Sequence, residues 1–104
     1  MEIVADVYRV TRAFPPDERF GLVQQLRRAA IAIPSNIAEG HSRLGTGEFR
    51  RFVSIARGSG AEVETQIAIA MALGLITDDE IRSLSSKLER LSKMLFRLYR
   101  SLSV

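Results

Sequence analysis

Residues 24–40 read QQLRRAAIAIPSNIAEG, and the rest of the predicted fold is arranged around this stretch. Apolar side chains recur in it and just before it at alternating steps of three and four residues, which places them on one face of a helix. That face comprises Val23, Leu26, Ala30, Ile33 and Ile37. Arg27 and Arg28 lie outside it, so the sequence predicts an amphipathic helix whose arginines flank the buried side.

Pro34 falls inside this helical pattern. Proline has no backbone donor and clashes with the carbonyl four residues earlier, so two outcomes are open. One is a kinked but continuous helix, and the other is a break followed by a restart with Asn36 and Glu39 as a capping box. The spacing of the apolar residues continues unchanged through the proline, which favours the kinked helix. Gly40 is predicted to end it in the left-handed conformation.

Two helices are predicted in the first half of the chain. A short amphipathic helix covers about residues 2–13, and Pro15 ends it because a residue before proline avoids helical geometry. The second helix covers about residues 16–39, with Pro16 in its first turn. A glycine-containing loop is then predicted at residues 41–47.

The second half of the chain predicts two more helices. The third begins near a cap at Thr46 and ends at Gly74. Its Gly58 and Gly60 are predicted to mark the close approach of another backbone, because glycine is otherwise unfavourable in a helix. A capping box at residues 77–80 starts the fourth helix. A heptad then runs to the end of the chain through Ile81, Leu84, Leu88, Leu91, Leu95, Leu98 and Leu102.

No stretch has the pattern of a strand. The 104 residues are predicted to form one domain, 1–104. Its fold class is all-α: an antiparallel up-down four-helix bundle with a short first helix and a proline-kinked second helix.

Bulk composition restricts the classes of function. The chain carries 15 Lys and Arg against 12 Asp and Glu, a net charge of +3 that leans toward anionic partners. No apolar run approaches the roughly 18 residues of a membrane span. The first residues lack the pattern of a signal peptide. The expected compartment is the cytoplasm, with no membrane partner.

Residues with the spacing of a catalytic or metal site are not found in the sequence. His41 is the sole histidine, and Ala38 stands where a di-iron bundle would need glutamate. Glu62 and Glu64 point about 200° apart on a helix, which makes them poor partners for acid–base chemistry. Cysteine is absent. The sequence therefore predicts no enzyme, no catalytic residue, no metal and no cofactor.

Two runs of the sequence resemble a known family. They are FPPDERFGLVQQLRRAAIAIPSNIAEG at residues 14–40 and EFRRFVSIARGSGAEVETQIAIAMALGLI at residues 48–76. Their most specific parts are IPSNIAEG and GSGAEVETQ. They resemble the four-helix-bundle family of proteins encoded in 23S ribosomal RNA intervening sequences, also labelled S23, over about residues 7–100. The accessory variability protein of diversity-generating retroelements is a relative.

The resemblance implies partners and an assembly. Family members form four-helix protomers that assemble as rings of five, so a homopentamer is expected. The retroelement relative binds nucleic acid and a reverse transcriptase through a basic surface, so RNA, DNA and a reverse transcriptase are candidate partners. Relatives usually begin with a longer first helix and an Asp-Leu-x-x-Trp-like motif. Either Met1 is not the true start, or this is a short version.

Basic residues concentrate at one end of the predicted bundle, where helix 2 ends, helix 3 starts and helix 4 ends. The opposite end collects the acidic residues 17–18 and 78–80. The residues predicted to bind nucleic acid are Arg43, Arg50, Arg51, Arg97 and Arg100. Arg57, Phe96 and Tyr99 lie at the same end. The alternative is a solvated face whose charges complement the dipole of helix 4.

The short first helix predicts an interface. It spans roughly 18 Å, whereas the other helices span roughly 38 Å, so the basic half should be three helices thick. An apolar groove is expected there, filled by a neighbouring subunit or another protein. Its predicted lining is Ile33, Ile37, Phe49, Phe52, Leu95, Leu98 and Leu102. The predicted oligomer-interface residues are Phe49, Phe52, Ile55 and Leu98.

Five polar residues beside the predicted core form a further set, namely Gln25, Arg28, Asn36, Glu39 and Glu62. They are predicted to form a hydrogen-bonded structural network in which Arg28 faces Glu62 across helices 2 and 3. The alternative for this set is a ligand or partner site.

The predicted function is a non-enzymatic homo-oligomeric bundle that acts as a nucleic-acid-binding or accessory scaffold module, and the resemblance implies that the oligomer is a pentamer. The alternative is a protein-interaction module without a nucleic-acid role.

Overall fold

The computed structural model describes residues 1–102, apart from the side chains of Arg19 and Phe20. Four α-helices make up most of this part, and no strand occurs in it. Their bounds are α1 Glu2–Thr11, α2 Gln24–Ser42, α3 Thr46–Ala72 and α4 Asp78–Ser101. The all-α fold class is confirmed.

The entry into α2 differs from the prediction. A 3₁₀ turn at Pro16–Glu18 and a π-helical segment at Arg19–Val23 precede the α-helix. Gly21 has non-helical angles, with φ −105° and ψ −105°. Because this residue departs from helical geometry, the regular α-helix begins only at Gln24 and not at residue 16.

Helices α2 and α3 form the most extensive contact in the described chain. Gly40 near the end of α2 lies against Phe52 near the start of α3, and Ile33 lies beside Gly60 about two turns away along each helix. Between α3 and α4, Arg50 lies over Tyr99, and Arg57, further along α3, lies over Phe96, which comes earlier in α4. In both pairs of helices the contacts advance along one helix as they go back along the other, so the two helices of each pair are antiparallel.

The core lies along this pair and extends to the other two helices. Its largest side chains without solvent exposure are Val7, Leu26, Ile33, Val53 and Val63. Small residues lie between them, and Ala30 and Ala56 are wholly buried. Small side chains at facing positions let two helix backbones approach closely, which accounts for the extent of the α2–α3 contact.

Helix α2 continues through Pro34 without a restart. The Asn36 side-chain amide donates to the carbonyl of Ala32, at 2.7 Å, and does not cap a new helix. The prediction of a continuous helix is confirmed.

The predicted role of Gly40 is wrong. Gly40 lies inside α2, which continues to Ser42, and its φ is not positive. A Cβ at Gly40 would lie 2.6 Å from the Cβ of Phe52, closer than real Cβ contacts allow. Glycine is needed there because α3 packs directly against the α2 backbone. The positive φ of this connection belongs to Gly45, which precedes the first residue of α3, Thr46.

The close backbone approach that was predicted at Gly58 and Gly60 therefore occurs at Gly40 instead. A Cβ at Gly58 would meet nothing within 4 Å. At Gly60 the nearest atom would be the Cδ1 of Ile33 at 4.0 Å, an ordinary contact.

Local signals define the connection from α3 to α4. Gly74 has φ +72°, and the amide of Leu75 donates to the carbonyl of Ala70 at 2.9 Å. This is the Schellman pattern that ends a helix. Thr77 and Glu80 then form both hydrogen bonds of the capping box that starts α4. Both of these boundary predictions are confirmed.

Helix α1 is held to its neighbours by polar contacts. Asp6 is buried, and it pairs with Lys87 of α4 and with Arg9 of its own helix. Burial alone would raise the pKa of the Asp6 carboxyl, but hydrogen bonds and positive charge from Lys87 and Arg9 outweigh it and lower the pKa below its usual value. Arg27 of α2 donates to the hydroxyl of Thr11 at 2.9 Å.

The helices differ greatly in length. α3 has 27 residues and α1 has ten, which correspond to about 40 Å and about 15 Å of helix. The molecule measures 45 × 24 × 18 Å, so α3 extends along most of it and α1 covers about a third. No helix among residues 1–102 is long and apolar enough to cross a membrane.

Candidate functional site

Arginine and aromatic side chains cluster where α2 ends, α3 begins and α4 ends. Arg43 follows the last residue of α2, and Arg50 and Arg57 are two turns apart on one stripe of α3. Phe96 and Tyr99 occupy the last turns of α4. The cluster therefore depends on the antiparallel arrangement, which brings these three segments to the same end.

Three arginines lie over the aromatic rings of α4, at distances typical of cation–π contacts. The guanidinium carbon of Arg50 lies 4.0 Å from the ring centre of Tyr99. Arg57 lies 5.0 Å from the centre of Phe96 and 5.5 Å from that of Tyr99. Arg100 lies 5.8 Å from the centre of Phe96. We call Arg50, Arg57, Arg100, Phe96 and Tyr99 the arginine–aromatic cluster.

Two further arginines lie over Phe52, on the side toward α2. Arg43 is 5.3 Å and Arg51 is 4.6 Å from the centre of its ring. Both also have acidic partners, since Arg43 pairs with Glu39 at 2.5 Å and Arg51 with Glu48 at 3.3 Å. Their charge is therefore largely compensated within the chain.

The arginine–aromatic cluster carries charge that no neighbouring acid compensates. Among the described residues, Arg50, Arg57 and Arg100 have no carboxylate within salt-bridge distance. The Nε of Arg50 is buried without a hydrogen-bond partner. A ring contact does not use the N–H donors at the edge of a guanidinium, and these donors match phosphate and carboxylate oxygens. The chemistry of the cluster suits an anion.

The structure brings together only part of the predicted basic set. Arg43, Arg50, Arg51 and Arg100 lie over aromatic rings, whereas Arg97 is exposed and makes no ring contact or ion pair in the part of the chain that the structure describes. Arg57 was not among the predicted binding residues but contacts two rings. Its spacing of seven residues from Arg50 places both on one stripe of α3, and that signal could have identified it.

The predicted oligomer interface needs one correction. Phe52 is buried within the chain, since it packs on the α2 backbone at Gly40 and lies under two arginines, so it cannot present a free surface. Phe49 and Leu98 are half-buried, and Ile55 is exposed.

The groove expected in the basic half is also largely filled by the chain itself. Ile33, Phe52 and Leu95 are buried there. Four other residues of the expected groove are half-buried, namely Ile37, Phe49, Leu98 and Leu102. Three helices with bulky side chains suffice to close this half.

The predicted polar network does not form within the described chain. Arg28 and Glu62 are exposed, and neither a hydrogen bond nor an ion pair joins them in residues 1–102. Gln25 is exposed, Asn36 bonds to its own helix, and Glu39 bonds to Arg43. These side chains point outward because their positions on α2 and α3 lie beside the buried stripe and not on it.

His41 makes an aromatic contact. Its ring stands edge-on to Phe49, with the ring centres 5.6 Å apart. Within residues 1–102, no group of three His, Cys, Asp or Glu side chains lies close enough to hold a metal ion.

The fold and this surface define a small all-α bundle with an arginine-rich end. The family model of the 23S rRNA-intervening sequence protein matches residues 1–97. The chain belongs to this family, which confirms the resemblance. A search of the curated proteins found no match.

Proposed function

We propose that this protein is a homo-oligomeric scaffold, a ring of five by analogy with its family, that binds nucleic acid through the arginine–aromatic cluster. The nucleic-acid part of the proposal is supported by the position of Arg50, Arg57 and Arg100 over Tyr99 and Phe96, without an acidic partner among the described residues. Arginine held in this way offers bidentate donors to phosphate oxygens.

The arrangement favours contacts to the nucleic-acid backbone. The arginines already occupy a face of each ring, so stacking of bases on these faces would displace them. Phosphate contacts position a protein on nucleic acid but do not read its sequence. We therefore expect binding that depends strongly on salt and little on sequence.

Affinity for a generic single-stranded RNA, measured as a function of salt, tests this proposal. The variant is Arg57→Glu with Arg100→Glu, since both side chains are exposed and share Phe96. Each phosphate contact contributes about 0.7 to the slope of log affinity against log salt for single strands, so the loss of two contacts should lower the slope by about 1.4.

A matched control separates the site from overall charge. Arg12→Glu with Arg82→Glu makes the same change in net charge on exposed residues outside the cluster. The control should bind more tightly than the cluster variant and keep the wild-type slope. Equal losses in both variants, or no salt-dependent binding by the wild type, would contradict the proposal and favour a protein-interaction module.

A further inference from the structure

The outer face of the α2–α3 pair contains a groove of about 400 Å³. Gln25 of α2 lines it together with Gly58, Glu62, Gln66 and Ile69 of α3. We call this the α3 groove. Most of its lining residues belong to the run GSGAEVETQ at residues 58–66, and none of them is part of the arginine–aromatic cluster.

Gly58 has no function within the chain that the structure describes. It is exposed in the interior of a 27-residue helix, and a Cβ there would meet nothing within 4 Å. Its φ is not positive, so no turn requires it. Glycine is the least favourable helix residue after proline. Its remaining physical use is to admit a second molecule close to the helix backbone.

Other groups in the α3 groove also lack partners. The Oε1 of Gln66 is buried without a hydrogen-bond partner. Glu62 is exposed and has no cation within salt-bridge distance among residues 1–102. Ile69 is 46% exposed. The groove therefore suits a partner that brings an apolar side chain and a cation.

A surface with these properties lies on the side of α4 that faces α1. Met94 is 61% exposed, and Arg90 is exposed without an acidic partner in the described chain. Both line a second groove, between α1 and α4. We call Arg90 and Met94 the α4 knob. It belongs to a different pair of helices from the α3 groove, so one protomer can present both surfaces at once.

We propose that the α4 knob of one protomer docks into the α3 groove of the next, with Arg90 on Glu62 and Met94 over Gly58. This inference rests on the proposed homo-oligomer. Glu62 and Gly58 are four residues apart, as are Arg90 and Met94, which is about 6 Å along a helix in both cases. Both contacts can therefore form at once where α4 of one protomer packs antiparallel to α3 of the next. Arg90 also has further N–H donors for the side-chain oxygen of Gln66, which lies one turn from Glu62.

The contact joins two different surfaces, so it is heterologous. A heterologous contact repeats from subunit to subunit and closes into a ring when the rotation permits. Contact of the α3 groove with its own copy would instead give a two-fold dimer. Such a dimer would bring no cation to Glu62, because the α3 groove contains no basic side chain, and this is why the α4 knob with Arg90 is assigned as the occupant.

Charge exchange tests the pairing. Molar mass in solution is measured by light scattering over a dilution series for the wild type, Glu62→Arg, Arg90→Glu and the double variant. Each single change should raise the dissociation constant at least about tenfold, and the double variant should recover most of that loss. Glu64→Arg is the matched control. It makes the same charge change two residues away, beside Ser85 and Glu89 of α4, and should leave the mass unchanged.

A second test uses the open glycine. Gly58→Leu should reduce the mass while the helical circular dichroism is kept, because its side chain meets nothing within the protomer. Gly47→Leu is the control, since Gly47 is equally open and lies in the first turn of α3. It should assemble like the wild type.

The outcomes separate the two proposals. A wild-type protein that stays monomeric at tens of micromolar overturns the homo-oligomer and this pairing with it. A wild-type oligomer that neither single charge change weakens, or that the double variant fails to restore, overturns the pairing and leaves the homo-oligomer standing.

Discussion

The contacts of α2 with α3 and of α1 with α4 are built in different ways. Between α2 and α3, backbones approach so closely that Gly40 has no room for a Cβ against Phe52. Between α1 and α4, a buried carboxylate, Asp6, pairs with Lys87, which keeps a quarter of its side chain exposed. The first contact depends on shape, and the second depends on charge.

Length explains the difference. The two long helices bury many small and apolar side chains along one seam, and such a seam tolerates little added volume. The ten residues of α1 bury only a few apolar side chains, so an ion pair fixes where this short helix lies. The two contacts should therefore respond to different substitutions and to different conditions.

The largest effect is expected from Gly40→Ala. The new methyl group would meet the Cβ of Phe52 at 2.6 Å and the backbone of Phe49 at 3.3 Å, and neither can move without moving α3. Overpacking of this kind costs about 3 kcal/mol at its upper end. Urea unfolding of the variant and the wild type measures the loss.

Gly60→Ala is the matched control on the same seam. Gly60 is buried too, but its Cβ would meet Ile33 at an ordinary 4.0 Å. The gain in helix propensity, up to about 1 kcal/mol, should leave this variant as stable as the wild type or more so. If both variants lose the same free energy, the close approach is not specific to Gly40.

These glycines also show the limit of what the sequence could predict. Gly74 and the capping box at residues 77–80 act through neighbouring residues, so their roles could be inferred from order along the chain. Gly40 ends the run IPSNIAEG, where glycine commonly stops a helix, yet the helix continues. Its role depends on the distance to α3, which a single sequence does not encode locally.

The features of the candidate site also separate into those that the sequence could predict and those that it could not. The accumulation of arginine at one end follows from helix order and an antiparallel bundle. The position of Arg57 over Phe96 and Tyr99 depends on how α3 and α4 are rotated against each other. The burial of Phe52 and the outward direction of Arg28 depend on rotation as well, and these are the places where prediction failed.

A smaller effect is expected from Asp6→Asn, which acts on the α1–α4 contact. It keeps the size of the side chain and removes the charge that Lys87 and Arg9 share. Breaking a buried ion pair costs 3–5 kcal/mol, but Lys87 is partly solvated, so we expect a loss of about 2 kcal/mol.

Asp79→Asn is the control for that loss. It breaks an ion pair with Arg82 in which both side chains are largely exposed, and it should cost less than about 1 kcal/mol. Equal effects of the two substitutions on urea unfolding would mean that the Asp6 pair does not anchor α1.

The smallest effect is the pH dependence of the same contact. The pKa of Asp6 is lowered in the folded chain, so the unfolded chain takes up the proton first as the pH falls. The stability from this group is therefore complete above the unfolded pKa of about 3.9 and is lost as the pH falls through the folded pKa.

Urea unfolding at pH 7 and at several values below 4 tests this. The gap in free energy of unfolding between the wild type and Asp6→Asn should close as the pH falls. It should become small below the folded pKa, because a protonated carboxyl and the Asn amide are both uncharged and both can accept a hydrogen bond from Lys87. Among the described residues of α2 and α3 no carboxylate is buried, so the gap between the wild type and Gly40→Ala should stay constant over the same range. A constant gap for Asp6→Asn as well would show that both contacts depend on shape alone.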